Sequence, residues 1–194
     1  MYRLGPFVTG LGVLALAVAT ASGTPIYAIN SGGGAYTAVD GTLFQADAYS
    51  TGGKTYTTSD SIANTLDDTL YQSERYQSYS YILPVANDPW GYIVTLKFAE
   101  VFQTAPGARV FHVDIEGTRA LSNLDIYATA GHDVALDFSF GPIYVTDGNL
   151  NIDLITVVDN AKLSALVVEV VPEPASLTLL VLGGLGLLAR RRRK

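Results

Sequence analysis

Between residues 92 and 170 apolar and polar positions alternate with a period of two. In YIVTLKF (92–98), Tyr92, Val94, Leu96 and Phe98 share one face while Ile93, Thr95 and Lys97 share the other. VFHVDIE (110–116) sets Phe111, Val113 and Ile115 against His112, Asp114 and Glu116. VALDFSF (134–140) sets Val134, Leu136, Phe138 and Phe140 against Ala135, Asp137 and Ser139, and LNIDL (150–154) and KLSALVVEV (162–170) continue the pattern. This period predicts strands with one buried face. Turn-forming stretches punctuate them: SGGG (31–34), TGG (51–53), NDPWG (87–91), APGA (105–108), TDGN (146–149) and VDNA (158–161). Many short strands joined this way predict an all-β chain, an antiparallel two-sheet sandwich, and not an alternation of helix and strand. Segment 54–78 shows no clear alternation and reads as loop with at most a helical turn.

The two ends follow a different pattern. Tyr2 and Arg3 precede an apolar run from Leu4 to Ala19, and Ala19-Thr20-Ala21 has the small-x-small form of a secretory cleavage site. Residues 1–21 are therefore read as a signal peptide, 22–171 as the exported domain, and 172–194 as a separate C-terminal segment. In that segment Val171-Pro172-Glu173-Pro174 leads into a largely apolar stretch, 175–189, and then Arg190, Arg191, Arg192, Arg193 and Lys194. As a helix, 175–189 reaches about 22 Å, short of the roughly 30 Å hydrocarbon core of a bilayer. That length suits transient membrane anchoring, with the basic cluster on the cytoplasmic side. Pro-Glu-Pro, a short apolar helix and a terminal basic cluster together resemble the PEP-CTERM sorting signal. This resemblance implies processing by an exosortase-type membrane enzyme and a place in the cell envelope or outside the cell. A plain tail anchor is the alternative.

Removing the ends changes the charge balance. The whole chain has 12 basic and 18 acidic residues. Six of the basic residues and one acid belong to the ends, so 22–171 carries about −11. Such a surface argues against a nucleic-acid partner, which needs a basic patch. The chain has no cysteine, which removes disulfides, thiolate chemistry and Cys-ligated zinc.

Eleven tyrosines lie in 22–171, several of them in irregular segments. A sugar offers a C–H face that packs on a ring and a rim of hydroxyls that need donors and acceptors. A concave site with rings and a few polar groups meets both needs, and a tyrosine supplies ring and hydroxyl together. The two histidines, His112 and His132, stand in no metal-ligand or triad spacing, so no metal, cofactor or catalytic residue is assigned. Glu100, at the end of a strand in FAEV, reads as a structural acid that hydrogen-bonds a loop.

YAINSGGGAY, LYQSERY, SYILPV, YIVTLKFAEVF, ARVFHVDIEG, NLDIYATAGH and VDNAKLSAL, in that order over 26–170, resemble the malectin domain. The resemblance implies a jelly-roll-like β-sandwich of the galactose-binding type and a non-catalytic role in binding glucose-rich oligosaccharide or polysaccharide. Carried over position by position, it implies a sugar site at Tyr56, Tyr76, Phe102, Gln103 and Asp159. Phe102 keeps the family's ring without the hydroxyl, and Gln103 replaces a second aromatic. Within LYQSERY, Tyr76 is expected in the cleft, Glu74 and Arg75 as its scaffold, and Tyr71 as a covering residue of the sandwich. Two other functions fit the same residues: a structural or adhesive sandwich with an idle cleft, and a glycoside hydrolase built on a carboxylate pair.

Overall fold

A computed structural model of the chain describes residues 24–173. The expected signal peptide and the apolar and basic parts of the C-terminal segment lie outside them. The alternating stretches form β8 (Tyr92–Phe98), β9 (Val110–Ile115), β11 (Leu136–Ile143), β12 (Asn149–Val158) and β14 (Ala165–Val170). Of these, β8, β11 and β14 join β1 (Pro25–Asn30), β2 (Tyr36–Thr37) and β3 (Leu43–Ala46) in a six-stranded sheet of order β11-β8-β14-β1-β3-β2. A five-stranded sheet of order β10-β9-β12-β7-β4 adds β4 (Ser50–Thr51), β7 (Tyr79–Pro84) and β10 (Thr118–Leu124). Pairing is antiparallel except between β1 and β3, which run parallel. The inward residues of both sheets meet in one core, with Val94, Leu96, Phe98, Leu166 and Val168 facing Phe111, Val113, Leu150, Ile152 and Tyr81. These are the residues that the alternation places inside. Burying large apolar and aromatic side chains contributes about 1.5–3 kcal/mol each, which is what holds the two layers together.

A second apolar cluster covers the outer face of the six-stranded sheet. Ala28 and Ala165 sit there under Phe44, Ile62, Leu70 and Tyr71. Among the described residues, every strand and both clusters lie within 24–171.

The structure departs from the sequence pattern in four places. Segment 54–78, which the pattern reads as loop with at most a helical turn, contains β5 (Lys54–Thr57), a helical turn α1 (Asp68–Tyr71) and β6 (Ser73–Tyr76). With β13 (Lys162–Leu163), β5 and β6 form a three-stranded sheet of order β13-β6-β5. Alternation fails there because β6 starts with two consecutive buried residues, one on each face, and both are polar. Ser73 is buried and donates to Asn30 Oδ1 at 2.6 Å, and Glu74 is buried against Lys162. The run 162–170 is divided at Ser164 between two sheets, and residues 161–166 are all buried: Ala165 under the outer cluster, Ala161, Leu163 and Leu166 in the central core, and Lys162 against Glu74. The strand predicted from Val134 begins at Leu136, while Val134 only bridges to Ala63. Finally, Ile126–Ala130 forms a short helix, α2, that the sequence reading passed over. Asp125 caps it, accepting from Ala128 N at 2.8 Å.

Candidate carbohydrate cleft

Three chain segments converge at one end of the sandwich. The β5–β6 ladder pairs Tyr56 with Glu74 and Lys54 with Tyr76, which brings both tyrosines onto the small sheet. The loop after β8 supplies Phe102 and Gln103. The turn after β12 supplies Asp159, with φ +57°, and Asn160. Asp tolerates this left-handed conformation better than most residues. Tyr56, Glu74, Tyr76, Phe102, Arg109, Asp159 and Asn160 enclose a cleft of about 250 Å³.

Its aromatic wall is well defined. The Tyr56 and Phe102 rings meet edge to face, 5.8 Å between centroids and 85° between planes. Phe102 is 61% exposed and Tyr56 38%, so both rings are open to a ligand. The opposite wall is polar. Asp159 Oδ1 accepts from Asn160 Nδ2 at 2.7 Å, and Oδ2 accepts from Gln103 Nε2 at 3.1 Å. Gln103 thus meets the acid directly.

Beneath these walls lie two buried ion pairs. Lys162, fully buried, pairs with Glu74 and donates to Ala99 O. Glu100, also fully buried, pairs with Arg109 at 2.8 Å. Glu74, Arg109 and Asn160 line the cleft although the sequence reading did not place them there. The signal available for them was adjacency to Tyr76 and Asp159 in ERY and VDN, and for Arg109 there was none. Arg75, the other expected scaffold residue, pairs with Asp47 at 2.7 Å and donates to Gly52 O at 2.6 Å. Tyr71 lies outside the cleft, buried in the outer cluster, where it donates to Asp137 Oδ1 at 2.8 Å. His112 accepts from Asn123 N and His132 contacts Asp133, and neither lines the cleft, although the His132 backbone bridges to Glu100. Among the described residues no group of three or more His, Cys, Asp or Glu is placed to hold a metal ion.

A larger hollow of about 430 Å³ lies on the outer sheet face, between Asp40, Asp67, Thr95, Lys97 and Glu169. None of the residues expected to bind sugar lines it, and its aromatic side chains, Phe44 and Tyr71, are buried. The smaller cleft is the one with open rings.

A two-sheet sandwich with exposed rings facing an oriented carboxylate is the build of a carbohydrate-binding domain. Residues 25–168 match the family model of the malectin domain, and the chain belongs to that family. Residues 170–194 match the PEP-CTERM protein-sorting motif. Human malectin is 34% identical over 155 residues, covering 74% of this chain and 52% of that protein. Malectin-A of Xenopus laevis is 32% identical over 136 residues, covering 66% and 48%. The chain spans about half the length of the curated relatives it matches. Among solved structures, the extracellular domain of ANXUR2 from Arabidopsis thaliana superposes with a TM-score of 0.68 at 17% identity, over 77% of this chain and 49% of that one. A Bacteroides uniformis beta-glucuronidase superposes with a TM-score of 0.64 at 21% identity, over 75% of this chain and 18% of the enzyme. At these identities the two structures share the fold with this chain.

Proposed function

We propose that this domain is an exported, non-catalytic binder of glucose-rich oligosaccharide or exopolysaccharide at the bacterial envelope. In this reading 1–21 is the signal peptide, 22–171 the binding domain and 172–194 the sorting segment, anchored through 175–189 until an exosortase-type enzyme processes it. The observation that carries the proposal is the convergence of Tyr56, Tyr76, Phe102 and Asp159 on one cleft, with Gln103 bonded to Asp159. Tyr56, Tyr76 and Phe102 offer stacking surfaces for the C–H faces of a sugar, and Asp159 accepts from its hydroxyls.

The cleft favours uncharged ligands. Glu74, Glu100 and Asp159 outnumber Lys162 and Arg109, so a uronic acid meets net repulsion. Hydrolysis needs a carboxylate pair free to flank a glycosidic bond. Here Glu74 is engaged by Lys162, Glu100 by Arg109 and two amides, and Asp159 by Gln103 and Asn160. These contacts support binding over catalysis.

At about 250 Å³ the cleft is smaller than the 300–1,000 Å³ of typical small-molecule sites, which suits one or two sugar units at the end of a chain. Stacking adds about 0.5–1.5 kcal/mol and a hydrogen bond to a charged group about 1.5–3, so affinities between micromolar and millimolar are expected. A glycan array of 22–171, followed by calorimetry, tests the proposal. Asp159→Asn should weaken binding by about tenfold, the loss of one charged hydrogen bond. If a glycan binds and Tyr76→Ala combined with Asp159→Ala leaves its affinity unchanged, the site lies elsewhere.

A further inference from the structure

We infer that the buried Glu100–Arg109 ion pair is the positioning device of the cleft, tying its aromatic loop to its acidic turn. This rests on the reading of the cleft as a carbohydrate site. Glu100 and Arg109 act through their neighbours and are positioning residues.

The bonds form one continuous path. Glu100 Oε1 accepts from the backbone amides of both Phe102 and Gln103, at 3.0 and 2.9 Å. Its Oε2 accepts from Arg109 Nε at 2.8 Å. Arg109 Nη1 donates to Asn160 O at 3.0 Å, and its Nη2 lies 3.7 Å from Asp159 Oδ2. Two side chains thus connect the amide that carries the Phe102 ring to the residues that carry the acceptor. Gln103 closes the circuit from the other side through its bond to Asp159.

Core packing does not supply this alignment. Phe102 is largely exposed, and Asp159 projects from an exposed turn. Neither is buried enough for apolar contacts to fix it. Apolar side chains could fill the space of the ion pair without loss of stability, since a buried pair carries a desolvation cost. They could not offer directed acceptors to two amides and a directed donor to a carbonyl across the cleft. A planar guanidinium does this with several N–H groups in a fixed fork. A prealigned site avoids the entropy of ordering two loops when the ligand arrives.

The test uses 22–171, which holds the described strands and both apolar clusters, and reads amide NMR signals without ligand before titration with maltose. In the unaltered domain the Phe102 and Gln103 amides and the Arg109 Nε–H should be strongly protected from solvent exchange. Glu100→Gln should move the Phe102, Gln103 and Asn160 signals together. Arg109→Lys keeps the charge but loses the fork, so it should move Asn160 and leave Phe102 and Gln103 near their original positions. Both variants should weaken maltose binding by about tenfold, as ordering costs return. Fast exchange at Phe102 and Gln103 in the unaltered domain overturns the inference even if neither variant folds. A folded Glu100→Gln domain with unmoved Phe102 and Gln103 signals, a folded Arg109→Lys domain with an unmoved Asn160 signal, or maltose affinity within about twofold of the original in either, also overturns it. If the signals move as stated but maltose does not bind the unaltered domain, positioning stands and the choice of ligand fails.

Discussion

At Gly32 the backbone holds φ +73°, and a Cβ there would lie 2.2 Å from the carbonyl oxygen of Glu74. SGGG is thus a turn pressed against β6, the strand that presents Tyr76 to the cleft. Gly32→Ala combines left-handed strain of roughly 1–2 kcal/mol with a backbone clash, so chemical denaturation should show a loss of at least about 2 kcal/mol. Gly34 has nothing within 4 Å of its would-be Cβ, and Gly34→Ala should stay within about 0.5 kcal/mol. Equal losses at the two positions would mean that the close approach to Glu74 is absent. Gln103 shows the reverse relation between a sequence and its outcome. Its identity reads as the loss of a ring, and only its distance to Asp159 reveals the bond that replaces it.

At the scale of elements, β6 and β13 are joined by charge as well as by their ladder. Lys162 is fully buried and pairs with Glu74, so removing Glu74 leaves its charge without that counter-ion, and removing Lys162 leaves the largely buried Glu74 without its own. Breaking one side of such a buried pair costs about 3–5 kcal/mol, whereas replacing both partners with fitting apolar residues is often neutral. Lys162→Met should therefore destabilise strongly, and Lys162→Met with Glu74→Leu should recover most of the loss in urea unfolding. An additive double variant would show that the pair is not coupled.

Strand β7 and helix α1 supply a second such case. Burial pushes the phenols of Tyr71, Tyr79 and Tyr81 above their ordinary value of 10.0, helped by Asp137 at Tyr71, by Tyr81 at Tyr79 and by Asp47 at Tyr81. The unfolded chain loses these protons near pH 10 while the folded one keeps them. The stabilisation is complete below pH 10 and is lost as pH rises from there toward the folded values. Each tyrosine lowers the unfolding free energy by about 1.4 kcal/mol per pH unit in that window. Urea midpoints should be level from pH 7 to 9 and fall steeply above 10, with a shallower fall in Tyr81→Phe.

For the whole molecule, β14 sets the relation between cleft and tail. Its start, Ala165, pairs with Lys97 near the cleft, while its end, Val170, pairs with Tyr92. Five rises along the strand separate the two by about 17 Å. Val171 is bonded to Gly91 at the far end, where the chain leaves for the sorting segment. Sites so far apart without shared partners behave independently, so ending the chain at 171 should leave oligosaccharide affinity within about twofold. A larger change in calorimetry would mean that the tail reaches the cleft.

The sequence by itself determined the sandwich, its turns and the inward faces of β8, β9, β12 and the apolar half of β14. A period of two and a local turn signal need no knowledge of partners. With the family resemblance it also indicated the residue types of the aromatic wall and the position of the acid. Tertiary structure alone decided the polar interior beneath the cleft. Ser73, Glu74 and Lys162 are buried, yet in a linear pattern they look like residues facing water. Their partners lie far off in the chain. Lys162 reaches Ala99 across 63 positions, and Arg109 reaches Asn160 across 51. A buried charge is acceptable only where such partners are brought to it, and local sequence carries no record of that meeting.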